Sequence, residues 1–200
     1  MRTFLVGLVS GLVALAGFAG SASASATIDL IWQISGTDTT SNVVTSSNIT
    51  LDVVLTAGAN GSLGAAVSVD YAALVGDFTI ISFQSSTSGS LPFSIPPTVD
   101  SGTQINNVNA AGFIPMAAGA SVVIGTITFH NNVGTPGAFQ IDVGAMIITD
   151  AVLDGLGGNI TGTTTFNSGF AVVPEPNTLF LLSMGLGGLY VVGRRSRRER

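Results

Sequence analysis

Asn48-Ile49-Thr50-Leu51-Asp52-Val53-Val54-Leu55 decides the fold class. Ile49, Leu51, Val53 and Leu55 fall on one side of a two-residue repeat, and Thr50 and Asp52 on the other. That is the period of a strand with one face in a core and one in water. The same period recurs on both sides of this stretch. Ile28, Leu30, Trp32 and Ile34 alternate with Asp29 and Gln33; Val67, Val69 and Tyr71 alternate with Ser68 and Asp70. Val123, Ile127 and Phe129 alternate with Thr126 and Thr128, and Phe139, Ile141, Val143, Ala145 and Ile147 with Gln140 and Asp142. Phe166, Phe170 and Val172 share a face near the end. Phe78-Thr79-Ile80-Ile81-Ser82-Phe83 changes phase at the Ile80-Ile81 pair, as a bulge or a strand buried on both faces does. Turn clusters separate the runs: Gly58-Ala59-Asn60-Gly61, Ser85 to Ser90, Pro96-Pro97, Asn131-Asn132, Gly134-Thr135-Pro136-Gly137 and Gly155-Leu156-Gly157-Gly158. No window shows a sustained 3.6-residue period, and Met116 to Ala120 has room for one helical turn. Eight or nine short strands with a polar outer phase predict an all-β protein, an antiparallel β-sandwich over residues 27–173.

Charge excludes several functions. Between residues 3 and 193 there is no Arg or Lys, while residues 27–173 hold nine Asp; the net charge of −5 conceals this polarity. Nothing in the body neutralises phosphates, so nucleic acid is not a partner. Cys is absent, which removes disulfides and thiolate metal sites.

The two ends read as addresses. Met1-Arg2-Thr3 precedes the apolar run Phe4 to Phe18 and then Ser21-Ala22-Ser23-Ala24-Ser25-Ala26. One positive charge, an apolar core and alternating small residues make residues 1–26 a secretory signal peptide, to be handled by the Sec machinery and a signal peptidase. Ala-x-Ala occurs twice, so cleavage after Ala24 and cleavage after Ala26 fit equally. A retained N-terminal membrane helix is the alternative, and the shortness of the run argues against it.

At the other end Val173-Pro174-Glu175-Pro176 leads into an apolar, glycine-containing span at 178–193, and Arg194, Arg195, Arg197 and Arg198 follow. Sixteen residues of helix reach about 24 Å, a little short of a hydrocarbon core of about 30 Å, and snorkelling Arg side chains cover part of the gap. The Arg cluster retains the extreme end in the cytoplasm, which places the body outside the inner membrane.

The triplet, the span and the Arg tail, in that order over residues 174–200, resemble the PEP-CTERM sorting signal. The resemblance implies recognition of Pro174, Glu175 and Pro176 by an exosortase and cleavage near the triplet. It also implies delivery to the cell surface or extracellular matrix of a Gram-negative, exopolysaccharide-producing bacterium. A plain single-pass anchor is the alternative. The body, in turn, resembles a cohesin-like jelly roll over roughly residues 47–172. The strand Ile49 to Leu55, Ser68-Val69-Asp70-Tyr71 with Leu74, Ile124-Gly125-Thr126-Ile127-Thr128-Phe129 and Phe139 to Thr149 with Asp150 carry that likeness. Where the family has Asp-Pro after the Tyr, this chain has Ala72-Ala73.

Candidate chemistry is sparse. His130, the single His, stands at a strand end without a nucleophile signature and reads as a solvated side chain. Asp29, Asp52, Asp70 and Asp142 occupy polar strand phases and Asp77, Asp100, Asp150 and Asp154 turns, which does not suggest a glycosidase pair in a cleft. Calcium suits nine uncompensated Asp better, and Asp150, Asp154 and Asn159 form the densest oxygen cluster, although not an EF-hand loop. Among the aromatics, Phe93 and Phe113 alone fall in loop-like stretches and are candidates for exposed rings. The sequence therefore predicts an exported, non-enzymatic protein with a structural or adhesive role in an exopolysaccharide matrix. A module binding a surface protein or carbohydrate is the alternative, and a polysaccharide hydrolase a remoter one.

Overall fold

The computed structural model describes residues 25–33, 40–43, 47–74, 76–100, 102–132, 136–175 and 184. These contain twelve strands: β1 (Thr27–Trp32), β2 (Thr40–Asn42), β3 (Asn48–Thr56), β4 (Ser62–Asp70), β5 (Phe78–Ser85), β6 (Thr98–Asp100), β7 (Gln104–Met116), β8 (Ser121–Asn131), β9 (Gly137–Gly144), β10 (Ala151–Asp154), β11 (Thr165–Asn167) and β12 (Gly169–Val173). They form a five-stranded sheet, β11-β1-β3-β8-β5, and a seven-stranded sheet, β2-β12-β9-β4-β7-β6 with β10 paired to β4. Apolar side chains from the two inner faces meet in one core. Trp32, Phe129, Leu51, Leu74, Ile105 and Ile127 are fully buried there. Phe129 packs against Trp32 and Tyr71, with ring centroids at 6.4 and 6.0 Å.

Alternation located most strands correctly. In β3 the inner residues Ile49, Leu51, Val53 and Leu55 are all buried. The phase change in β5 is a bulge between Ile80 and Ser82 that turns Ile81 outward. Twelve strands stand where eight or nine were expected, because the short β2 and β6 carry no alternation and because three further expectations fail. β7 shows no alternation in the sequence, because Asn106, Asn107, Gly112 and Pro115 interrupt its pattern and a bulge spans its pairing with Val67 and Val69. Met116 to Ala120 is not a helical turn but the hairpin joining β7 to β8, closed by the Ala120 N–H on the Ala117 carbonyl at 3.1 Å. The strand expected from Phe139 to Thr149 stops at Gly144 and resumes as β10. β9 and β10 lie in tandem along one edge of β4, with a loop at 145–150 between them.

Two pairs, β1 with β11 and β2 with β12, are parallel rather than antiparallel. They join strands from opposite ends of the body, which have the long connections that parallel pairing requires. One such pair lies in each sheet, so the two ends of the body are stitched into both layers. Ala26 is 2% exposed and its carbonyl accepts the Thr165 N–H at 2.9 Å, so the folded body begins before residue 27. The signal run through Ala24, the triplet's Pro176, the 178–193 span apart from Met184, and Arg194, Arg195, Arg197 and Arg198 lie outside the described residues. Among the described residues, no helix is long and apolar enough to cross a membrane.

Candidate functional site

The outer face of the seven-stranded sheet carries a trough of about 530 Å³. Its floor is made of very small residues, Gly64 and Ala66 on β4, Ala111 on β7 and Ala151 on β10, and Leu153, Ile95 and Ile147 rise around it. No charged side chain lines it. The floor stays low because β4 and β7 pair closely: a Cβ on Gly64 would lie 2.1 Å from the Ala110 carbonyl oxygen, and its φ of 135° suits glycine.

One wall is an irregular segment held beside β7. The Phe93 N–H donates to the Ala111 carbonyl at 3.0 Å and the Ala111 N–H returns a bond to Phe93 at 2.8 Å. The Asn109 side chain imitates a further ladder step: its Oδ1 accepts the Ile95 N–H and its Nδ2 donates to the Ile95 carbonyl, both at 2.9 Å. Asn107, with φ 61°, makes the bulge beside it, a conformation Asn tolerates. Phe93 and Ile95 are thereby turned outward. Phe93 stacks edge-to-face on Phe113 at 5.1 Å, with Phe93 51% and Phe113 87% exposed. Ile114 and Ile148 are exposed as well. Both rings singled out in the sequence are thus exposed and in contact, although Phe113 belongs to β7 rather than to a loop.

The opposite wall depends on Asp150. Its Oδ2 accepts the Ser68 hydroxyl at 2.7 Å and the N–H groups of Met146 and Ile147 at 2.9 and 3.1 Å. This carboxylate ties the 145–150 loop to β4 and positions Ile147. Asp154 ends β10 and holds the following turn: Oδ1 accepts the Gly158 and Leu156 N–H groups at 2.7 and 3.0 Å, and Oδ2 accepts from Asn60 at 3.4 Å. The Gly158 N–H in particular keeps the Asp154 carboxyl below its ordinary pKa, against the opposing effect of burial, with help from Asn60, Leu156 and Gly157.

The expected calcium cluster is therefore not assembled. Asp150 precedes β10 and Asp154 ends it, four extended steps apart, which spans about 13 Å along the chain. Asn159 spends its Oδ1 on the Thr161 N–H and hydroxyl at 3.0 and 2.7 Å. Among the described residues, no three His, Asp or Glu side chains gather in a way that would hold a metal. Asp150 and Asp154 are also buried rather than solvated, and Asp100 lies in β6 rather than in a turn. His130 stands near the end of β8, where its Nδ1 meets Asn48 Oδ1 at 2.6 Å in an exposed pair.

The tail leaves the sandwich at the end of β12. Val173 is buried, Pro174 half-buried and Glu175 exposed. Residues 172–198 match the family model for the PEP-CTERM protein-sorting motif. The chain carries a PEP-CTERM sorting signal. Its match begins two residues before the triplet, inside β12. No curated protein matches the chain significantly. Among solved structures, CaCohA2 from Clostridium acetobutylicum is similar at TM-score 0.56 and 14% identity, over 78% of this chain and 97% of that one. A non-cellulosomal cohesin from the hyperthermophilic archaeon Archaeoglobus fulgidus is similar at TM-score 0.53 and 11% identity, over 78% and 96%. The sixth cohesin of Acetivibrio cellulolyticus scaffoldin B, solved with a Cel5 dockerin mutant, is similar at 0.51 and 14%, over 76% and 99%. The body of this PEP-CTERM chain has the cohesin fold.

Proposed function

We propose that this is an exported, non-catalytic surface protein, sorted by an exosortase through its PEP-CTERM signal and adhesive in an exopolysaccharide matrix through the trough face. The observation that carries the adhesive part is an uncharged, largely apolar trough flanked by an exposed Phe pair, on a body whose residues 27–173 hold nine Asp and no Arg or Lys. Contiguous apolar surface of this kind marks a contact site rather than ordinary solvent-facing sheet. The occupant is a neutral or apolar surface of a matrix component, since polyanions are repelled by the body's charge. The second reading is a partner-docking module, favoured by the cohesin fold: the Acetivibrio cohesin was solved with a dockerin bound. Pro174, Glu175 and Pro176 serve recognition by the sorting enzyme, and the Arg194, Arg195, Arg197 and Arg198 cluster retains the tail in the inner membrane until cleavage. Signal peptidase cuts after Ala24, because Ala26 is part of the packed body.

Intact mass and cell fractionation of the protein from its native host test this reading. The expected species begins at Ser25, ends near Pro174 and is found outside the cell. A full-length tail retained in the inner membrane would overturn the sorting assignment. Glu175→Ala is expected to abolish processing.

A further inference from the structure

The sorting signal does not hang from a linker. Its first two matched residues, Val172 and Val173, belong to β12, a strand paired on both edges. On one side β12 runs antiparallel to β9, from Gly169↔Ile141 to Val173↔Gly137. On the other it runs parallel to β2, from Phe170↔Thr40 to Val172↔Asn42, and the Val43 N–H adds a bond to the Val172 carbonyl at 2.8 Å. Ala171 and Val173 point into the core. The ladder stops where both strands meet proline: Pro174 follows Val173, and Pro136 precedes Gly137.

A processing enzyme grips an extended backbone through its N–H and C=O groups. In β12 those groups are already paired with β9 and β2. Beyond the ladder, Pro174 and Pro176 have no N–H, so Glu175 is the first donor outside the sheet and the single donor of the triplet. Pro174 to Asn177, the four residues before the expected 178–193 span, reach at most about 14 Å when fully extended. The enzyme therefore works in a narrow gap between the end of the sandwich and the bilayer.

We propose that the sorting enzyme acts on the fully folded sandwich with β12 docked, and that the paired strand confines it to the segment from Pro174 onward. The retained body then keeps every strand, and the cut leaves its new C-terminus pinned on a strand paired along both edges instead of at a frayed end. This rests on the sorting reading above, and a cross-link separates the two. The chain has no Cys, so Ala138→Cys with Val172→Cys introduces one defined pair at directly opposed positions. Opposed residues have Cα atoms about 4.5–5.5 Å apart, within disulfide range. The full-length protein is followed in its native host, with the thiol state read by labelling and the cut read by intact mass, before and after reduction.

The oxidised variant, with β12 locked to β9, is expected to be cut at the same position and within about twofold of the reduced variant's rate. If the oxidised form accumulates uncut and reduction releases cleavage, the enzyme must strip β12 from the sheet and the proposal is wrong. A Val172→Cys single variant that is itself uncut would mean the enzyme reads that side chain. The pair Gln140→Cys with Phe170→Cys, opposed in the same ladder but outside the matched motif, then decides by the same two outcomes. Failure of the unmodified chain to be cut at all would instead remove the sorting reading itself.

Discussion

The two outer faces of the sandwich differ more than their shared alternation suggests. On the five-stranded sheet, polar side chains satisfy one another across strands. Thr126 donates to Asp52 at 3.0 Å, Gln33 donates to the same carboxylate at 3.1 Å, Thr50 meets Thr128 at 3.3 Å, and Asn167 donates to Asp29 at 2.6 Å. Cross-strand pairs of this kind stabilise a wetted sheet, and the exposed Ile81 at the β5 bulge is a lone apolar side chain among them. On the seven-stranded sheet, the corresponding positions around the trough are Gly64, Ala66, Ala111, Ala151 and Leu153, with Phe113 exposed beside them. One face is bonded across its strands by polar side chains. The other leaves an uncharged trough and an aromatic pair open to solvent.

That contrast can be broken at graded cost. Gly64→Ala should have the largest effect: the new Cβ meets the Ala110 carbonyl oxygen at 2.1 Å in a backbone conformation that disfavours side chains. Overpacking of this kind costs roughly 3 kcal/mol, the upper end of its usual range, which for a chain of this size lowers the melting temperature by about 6–12 °C. Gly162→Ala, with nothing within 4 Å of its Cβ, should change it by less than about 1–2 °C in the same calorimetric scan.

Ser68→Ala removes the hydroxyl that joins β4 to Asp150, at about 1–2 kcal/mol by denaturant titration. Hydrogen exchange should show the amides of Met146 and Ile147 losing protection, since the same carboxylate oxygen holds them. Thr128→Val on the polar face loses one hydroxyl pair with Thr50 and should cost less than about 1 kcal/mol.

Acid acts at the far end of β10. The folded-state pKa of Asp154 is depressed, so the stability it contributes is fully present above the unfolded carboxylate value, about 3.9. It is lost as pH falls through the lower folded value. Melting curves from pH 5 to pH 2 should fall more steeply for the native chain than for Asp154→Asn, and parallel curves would contradict this assignment.

Much of the sandwich was legible because period-2 alternation survives wherever one face is buried and the other wet. Ile49 to Leu55 satisfies both conditions, and β3 extends it by one residue at each end, to Asn48 and Thr56. The trough was harder to read for a related physical reason. Its face is apolar and small on the outside, so Gly64, Ala66, Ala110 and Ala111 give no contrast between the sides of their strands, and β7 dissolves into what looks like loop. The continuous alternation from Phe139 to Ile147 misled in the opposite direction, because nothing local announces that Asp150 will bond back to Ser68 and break the strand. Spacing along the chain brought Asp150, Asp154 and Asn159 together, and strand geometry drew them apart. The exposed rings at Phe93 and Phe113 were found by their position between patterned runs. Their mutual contact needed the Phe93–Ala111 bridge, which leaves no trace in sequence.

The most direct measurement sets the two faces against each other in the native host. Phe93→Ser with Phe113→Ser alters the trough face, Thr50→Ala with Thr128→Ala alters the polar face, and the matrix-bound and free fractions of each secreted protein are compared after washing. The account predicts that the trough-face variant is released into the medium at least about tenfold more than the native protein, as loss of an aromatic anchor does elsewhere, while the polar-face variant stays bound. Equal retention of both variants, or release of the polar-face variant alone, would contradict it.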